Sequence, residues 1–270
     1  MRALLKVGFA LLVLAFLLIG LSYSMLRAQG VSGGANPAGR VVESDKRALG
    51  KSIRAIDLDG PIDMTLRQGA VPSLIVRGEQ RLLANVETTT GSDGTLHIRP
   101  TGMLLFHRQP IEVTLVLPSI EDVSVRGSGE STINGFSGER IDVELSGSGK
   151  LKFNGRFRQV RAGINGSGEL EMNGGSSDKV EVKLVGTGNM TVVGSSKQFK
   201  AEQSGTGDIY ARHLSADEVD LKLSGTGDAA VTAQKSAHIV LRGAGDVVVY
   251  GGPEDRTVDR HGSGEVVFKP

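Results

Sequence analysis

The fold is written most plainly in residues 141–155, IDVELSGSGKLKFNG. The odd positions Ile141, Val143, Leu145, Gly147, Gly149, Leu151, Phe153 and Gly155 are apolar or bare, and the even positions between them are largely polar. A period of two sends one set of side chains to one face of a strand and the other set to the opposite face. The same phase returns in Val180, Val182, Leu184, Gly186, Gly188, Met190 and Val192. It returns again in Val219, Leu221, Leu223, Gly225, Gly227, Ala229 and Val231. Both glycines of each Gly-x-Gly fall on the apolar parity. A bare inward position suits a sharp bend around a crowded core, where a Cβ would point into the corner. The expected unit is therefore strand, glycine corner, strand and a looser return turn.

Beyond this stretch the motif recurs eight times, as Gly127/Gly129, Gly147/Gly149, Gly166/Gly168, Gly186/Gly188, Gly205/Gly207, Gly225/Gly227, Gly243/Gly245 and Gly262/Gly264. Successive copies lie 18 to 20 residues apart. A fixed period of this size marks a solenoid, in which each repeat is covered only by its neighbours. Rungs of one coil stack at about 4.8 Å, and about 19 extended residues give a perimeter of roughly 60 Å, enough for three sides around a thin apolar centre. The hexapeptide rhythm of left-handed coils is absent. The expected fold is all-β, a right-handed parallel β-helix with rungs of about 19 residues, preceded by an N-terminal hydrophobic helix. The competing topology is an up-and-down antiparallel barrel, because Asn134-Gly135, Asn154-Gly155 and Asn173-Gly174 are hairpin signals midway between glycine pairs. A membrane barrel would want aromatic girdles and long loops. The chain has no Trp and 4% aromatics, and stacking in register, unlike hairpins, explains why Ser or Thr fills nearly every glycine pair.

Residues 1–26 read as a signal peptide or N-terminal membrane anchor: Arg2 and Lys6 precede an apolar or small run from Val7 to Leu21. Extended to Leu26 the run is just long enough to span a bilayer, so cleavage and anchoring both stand. Residues 27–50, rich in Gly, Ala, Ser, Asn and Pro, read as a flexible tether with a reach of about 27 Å. Residues 51–270 form a single β-helical domain, with irregular opening rungs over 51–120 and regular repeats over 121–270. Glu79 to Val86 makes a turn or two of helix, and Lys269-Pro270 is suited to blunting the last edge. The chain has no Cys, so disulfides and a lipidated N-terminal Cys are excluded. A net charge of +1 with no basic cluster gives no argument for nucleic acid.

After the glycine pairs come Glu130, Lys150, Glu169, Asn189, Asp208, Asp228, Asp246 and Glu265. Outward parity stacks them, and carboxylates about 4.8 Å apart could be bridged by Ca²⁺. The metal candidate is thus the ladder Glu130, Glu169, Asp208, Asp228, Asp246 and Glu265. Its plainer reading is a solvated corner that resists edge pairing, and no metal or other cofactor is expected. Ser128, Ser148, Ser167, Thr187, Thr206, Thr226, Ala244 and Ser263 form a second outward ladder, a flat binding face or simply a comfortable β-surface. His97, His107, His213, His238 and His261 lack metal-ligand spacing. No Gly-x-Ser-x-Gly elbow appears, and the Gly-x-Gly copies lack the third glycine of a dinucleotide site.

The opening IDLDGPIDMTLRQGAVPSLIVRGEQRLL, the middle PIEVTLVLPSIEDVSVRGSGE and the recurring LSGSGKL and LSGTGD resemble the auto-transporter adhesin head GIN domain family, a domain family of unknown function. The similarity covers roughly residues 53 to 268. The resemblance implies a right-handed β-helical exported protein and supplies no catalytic residues. No part of this sequence reads as the C-terminal membrane barrel expected of a true autotransporter. The functional expectation is a non-enzymatic exported module of the bacterial cell envelope, periplasmic or on the outer face of the cytoplasmic membrane, that binds, adheres or builds structure. Its expected partners are the membrane through the N-terminal segment if that is uncleaved, an envelope protein or surface polysaccharide, or further copies of itself. A β-helical polysaccharide-active enzyme and a Ca²⁺-stabilised surface protein are the alternatives. The solvated reading of the acidic ladder predicts that millimolar Ca²⁺ leaves the melting temperature unchanged in calorimetry. A rise would establish the metal stripe.

Overall fold

The computed structural model describes residues 41–50, 52–102 and 109–270 and, of the N-terminal segment, Leu18 alone. The signal or anchor, its expected helix and most of the tether lie outside the described residues. Among these, no helix is long and apolar enough to cross a membrane.

The chain runs through β1 (Val42–Arg47), β2 (Ala55–Asp59), β3 (Ile62–Gln68) and β4 (Ser73–Glu79) to one turn of helix, α1 (Gln80–Leu83). It continues through β5 (Val86–Thr90), β6 (Thr95–Pro100), β7 (Ile111–Leu117) and β8 (Asp122–Gly127). Long strands follow: β9 (Glu130–Gly147), β10 (Lys150–Gly166), β11 (Glu169–Gly186), β12 (Asn189–Gly205), β13 (Asp208–Gly225) and β14 (Ala229–Gly243). The chain ends with β15 (Val247–Tyr250), β16 (Asp255–Gly262) and β17 (Val266–Phe268). From β8 onward every pairing between neighbouring rungs is parallel, which makes an all-β, right-handed-style solenoid of about seven turns. The antiparallel barrel is excluded. The Asn-Gly steps make a second corner instead of hairpins, marked by register shifts at Asn154 and after Asn173.

Inward columns carry the core. Ile133, Phe153, Met172 and Val192 stack in register, as do Val143, Ala162, Val182, Ala201, Leu221 and Ile239, and all are buried. Burial of the Val, Leu, Ile, Met and Phe side chains among them contributes about 1.5–3 kcal/mol each. Gln203 interrupts the column Ile164, Leu184, Gln203, Leu223 and is also buried. Its amide donates to the Gly207 carbonyl. In earlier rungs the equivalent glycine carbonyl takes the N–H that follows the next glycine pair, as Gly188 does from Asp208. At Gly207 that N–H, from Asp228, has turned to the Asp208 carboxylate (2.8 Å). Gln203 thus fills the vacancy that Asp208 creates at Gly207.

The corner differs in one respect from the expected pair of inward glycines. Only the second glycine of each pair, such as Gly149 and Gly188, is buried. The first lies nearer solvent and turns the chain: Gly147 has φ +116°, a conformation L side chains rarely adopt. The pleat therefore breaks inside the pair. The buried glycine is required by the rung beneath it, because a Cβ on Gly149 would sit 2.5 Å from the Gly129 carbonyl oxygen, and one on Gly168 2.7 Å from that of Gly149. The residue between the glycines points out, and its N–H bonds the preceding rung, as Ser167 does to the Gly147 carbonyl (2.9 Å).

The opening segment caps the stack out of chain order. β2 lies between β6 and β8, and β3 between β7 and β9. β4 and β5 close the two exposed edges of β7 and β6 in antiparallel fashion, and β1 adds to β4. Arg47 clamps β1 by donating to the carbonyls of Leu83 (2.7 Å) and Val86. At the other end the positions of β16 that continue the core columns of Ala237, Ile239 and Leu241 are Arg256, Val258 and Arg260. Arg256 donates to the Pro253 carbonyl (2.8 Å) and lies over the Phe268 ring, and Arg260 donates to the Gly264 carbonyl (3.2 Å). Charges on the inward parity of a last strand discourage a further strand from adding.

Because Gly188 faces the Gly168 backbone and Thr187 faces solvent, Gly188→Val costs upward of about 3 kcal/mol and Thr187→Val less than about 0.5. Chemical denaturation checks this, and equal losses would refute the corner.

Candidate binding faces

Each regular rung has three outward faces. The first follows the glycine pair, the second follows the Asn-Gly corner, and the third leads into the next pair. Register converts sequence offsets of 18 to 20 residues into vertical neighbours. On the second and third faces those neighbours alternate in charge.

The second-face column runs Glu139, Arg158, Asp178, Lys197, Asp217, Lys235. Arg158 pairs with Glu139 (3.4 Å) and Asp178 (2.9 Å), Lys197 with Asp178 (2.7 Å), and Lys235 with Asp217 (2.8 Å). The third-face column runs Asp142, Arg161, Glu181, Lys200, Asp220, His238. There Arg161 meets Glu181 at 2.9 Å, and Lys179 and Arg140 add pairs to Glu181 and Asp142 (both 2.6 Å). Isolated surface pairs contribute little, but networks with shared partners fix geometry. Like charges at the rung spacing would repel by about 0.9 kcal/mol even at the dielectric of water, so alternation also penalises slipping by one rung.

The hydrogen bonds from Lys197 and Arg158 hold the Asp178 carboxyl below its usual range. Lys179 does so for Glu181, and Lys150 for Glu171. Their stabilisation is present above the ordinary carboxylate range and fades as pH falls through the lowered values. Asp122 behaves oppositely. Partial desolvation first, then the charges of Asp142 and Glu144, push its carboxyl up, against Arg140.

The first face carries the sequence-predicted acidic ladder, which the structure does bring into one column. It does not behave as one unit. Lys150 bonds Glu169 (2.9 Å) and Glu171 (2.6 Å), so a cation interrupts the lower half. Higher up, Asp208, Asp228 and Asp246 each turn one carboxylate oxygen to the next rung, accepting the N–H of Asp228, Asp246 and Glu265 respectively, all at 2.8 Å. The Glu130 N–H bonds Asp63 in the same way (2.8 Å). Among the described residues no group of three or more His, Asp or Glu side chains is arranged to hold a metal ion. The histidines stay apart: His97 meets Asp57 (3.1 Å), His261 meets Asp259 (2.9 Å), and His107 lies outside the described residues. The outward Ser/Thr ladder is exposed throughout, from Ser128 to Ser263.

Further along the first face the outward residues change character. Thr132, Lys152, Glu171 and Thr191 give way to Tyr210, Ala230, Val248 and Val267. Beside them the amide column Asn134, Asn154, Asn173 borders a shallow depression of about 440 Å³. Tyr210 is 47% exposed, and its hydroxyl donates to Asp208 (2.8 Å), which raises the phenol pKa.

The family described as "Putative auto-transporter adhesin, head GIN domain" matches residues 53–253. No curated protein matches the chain. Among solved structures, a putative adhesin from Parabacteroides distasonis ATCC 8503 superposes with TM-score 0.80 at 21% identity, over 86% of this chain and 98% of that one. A putative adhesin from Parabacteroides merdae ATCC 43184 gives 0.78 at 18% identity, over 85% and 96%. A protein from P. distasonis titled a putative lipid binding protein gives 0.75 at 21%, over 85% and 97%. These likenesses show a shared fold.

Asp122→Asn removes a raised, crowded carboxylate. It stabilises the protein at neutral pH by up to about 1 kcal/mol, after allowance for solvent screening, and has no effect at about pH 3, where Asp122 itself is protonated. Thermal melts at the two pH values measure the difference. A destabilised variant at neutral pH would contradict the assignment.

Proposed function

Starting from a chain that belongs to the head GIN domain family, we propose that it is an exported, envelope-associated binding module that works through flat outward faces and not through catalysis. The observation that carries this reading is the continuity of those faces. Parallel register and alternating ion pairs hold outward side chains in straight columns from β9 to β14, a rigid surface that loses little entropy on engaging a partner. The depressions on it are shallow, and two of the carboxylates that border them, Glu171 and Asp178, are tied to Lys and Arg and held in their charged form. A glycosidic general acid wants the opposite, a carboxyl pushed upward. In this reading residues 1–26 target or anchor the protein, residues 27–50 space it from the membrane, and the solenoid meets an envelope protein, a surface polysaccharide or another copy.

Fractionation of the native cells, with sequencing of the mature N-terminus, tests it. The chain is expected in the envelope fraction, either starting after the apolar run or retaining it. Recovery in the cytosol would remove the export claim, and release of reducing ends from envelope polysaccharide by the purified chain would remove the non-catalytic one.

A further inference from the structure

An outward sheet face in water is ordinarily polar, and the lower part of the first face obeys that. Its last rungs do not. Tyr210, Ala230, Val248 and Val267 stack in one outward column, with the Tyr250 ring alongside, held by the Arg212 guanidinium 4.4 Å from its centroid. On the other flank stand Asp208, Asp228 and Asp246, whose orientations are fixed by the backbone N–H bonds from the rung above. Oδ2 of Asp228 and of Asp246 carries no protein partner among the described residues. The face therefore offers an aromatic and aliphatic strip edged by preset hydrogen-bond acceptors.

We propose that this strip, centred on Tyr210, is a docking site for an uncharged oligosaccharide. The inference rests on the binding-module reading above and names the surface and ligand class within it. Area argues against a second copy. Four rungs at about 4.8 Å by three columns about 6.8 Å apart make roughly 250 Å², whereas a stable interface takes about 800 Å² from each partner. Charge argues against an anionic lipid surface, because the carboxylate edge repels acidic headgroups. A sugar chain fits both limits. The C–H face of a pyranose packs on a Tyr ring and aliphatic side chains, while its hydroxyls donate to the fixed carboxylates in charge-assisted hydrogen bonds. Acceptors already held in place by the fold need no further ordering on binding.

The test is isothermal titration of the full chain in mild detergent with uncharged hexasaccharides: cello-, malto-, laminari-, manno- and chitohexaose. At least one binds, and Tyr210→Ala weakens that binding at least tenfold with an unchanged melting temperature, while Glu43→Gln on the exposed strand β1 leaves it as it was. Equal binding by wild type and Tyr210→Ala would place the ligand elsewhere, overturning this site while leaving the binding-module reading intact. Absence of binding to every hexasaccharide at millimolar concentration overturns the ligand class. So does a Tyr210→Ala variant whose effect is loss of a dimer in ultracentrifugation, or loss of binding to phosphatidylglycerol vesicles.

Discussion

At each corner a glycine Cα lies so close to the carbonyl oxygen of the glycine one rung earlier that a single methyl group would force the rungs apart. Stacking therefore stays at β-sheet distance even where the chain turns sharply, a place where side chains would otherwise prise a coil open. Everything outward of the corner inherits that spacing. The Ser/Thr row is regular because its backbone N–H groups, from Ser148 to Thr226, bond glycine carbonyls of the rung beneath, and the columns on the flat faces inherit that spacing.

Given fixed spacing, surface chemistry becomes a one-dimensional pattern along the axis. Two of the faces use it for alternating charge, which holds the rungs in a single register. The first face uses it differently, changing from amide and ion-pair chemistry to aromatic and aliphatic chemistry over a few rungs. At the same height Asp208 captures a neighbouring N–H, Gln203 enters the core to satisfy the carbonyl left behind, and the outward column turns apolar. Core and surface change together there.

Much of this was legible in the chain. The repeat, the parity of Ile141 to Phe153 and the outward Ser/Thr row followed from period alone, and so did the column of acidic residues. Two things were missed. The roles of the paired glycines differ, because φ and the approach of a neighbouring carbonyl are properties of the assembled coil and leave no trace in one strand's alternation. The charge ladders did leave a trace: Glu139, Arg158, Asp178, Lys197, Asp217 and Lys235 repeat at the same 18- to 20-residue offsets as the glycines. Reading along the strand hides them, and reading across rungs reveals them. The Asn-Gly steps misdirect for a related reason, since a dipeptide that favours a tight turn serves equally at a corner between parallel neighbours.

The interleaving at the capped end makes the molecule asymmetric in how it can be assembled. Regular rungs can join one after another, each using the last as its template. β2 and β3 have no such freedom, since the strands that sandwich them come from segments synthesised later. These two early strands must wait, half-covered, for chain more than fifty residues downstream, as the Ile56–Val123 and Leu66–Ile133 pairings show. Loop closure of that span is the slow, entropically costly event. Growth then proceeds away from it in one direction only, toward a terminus whose arginines decline to seed another turn.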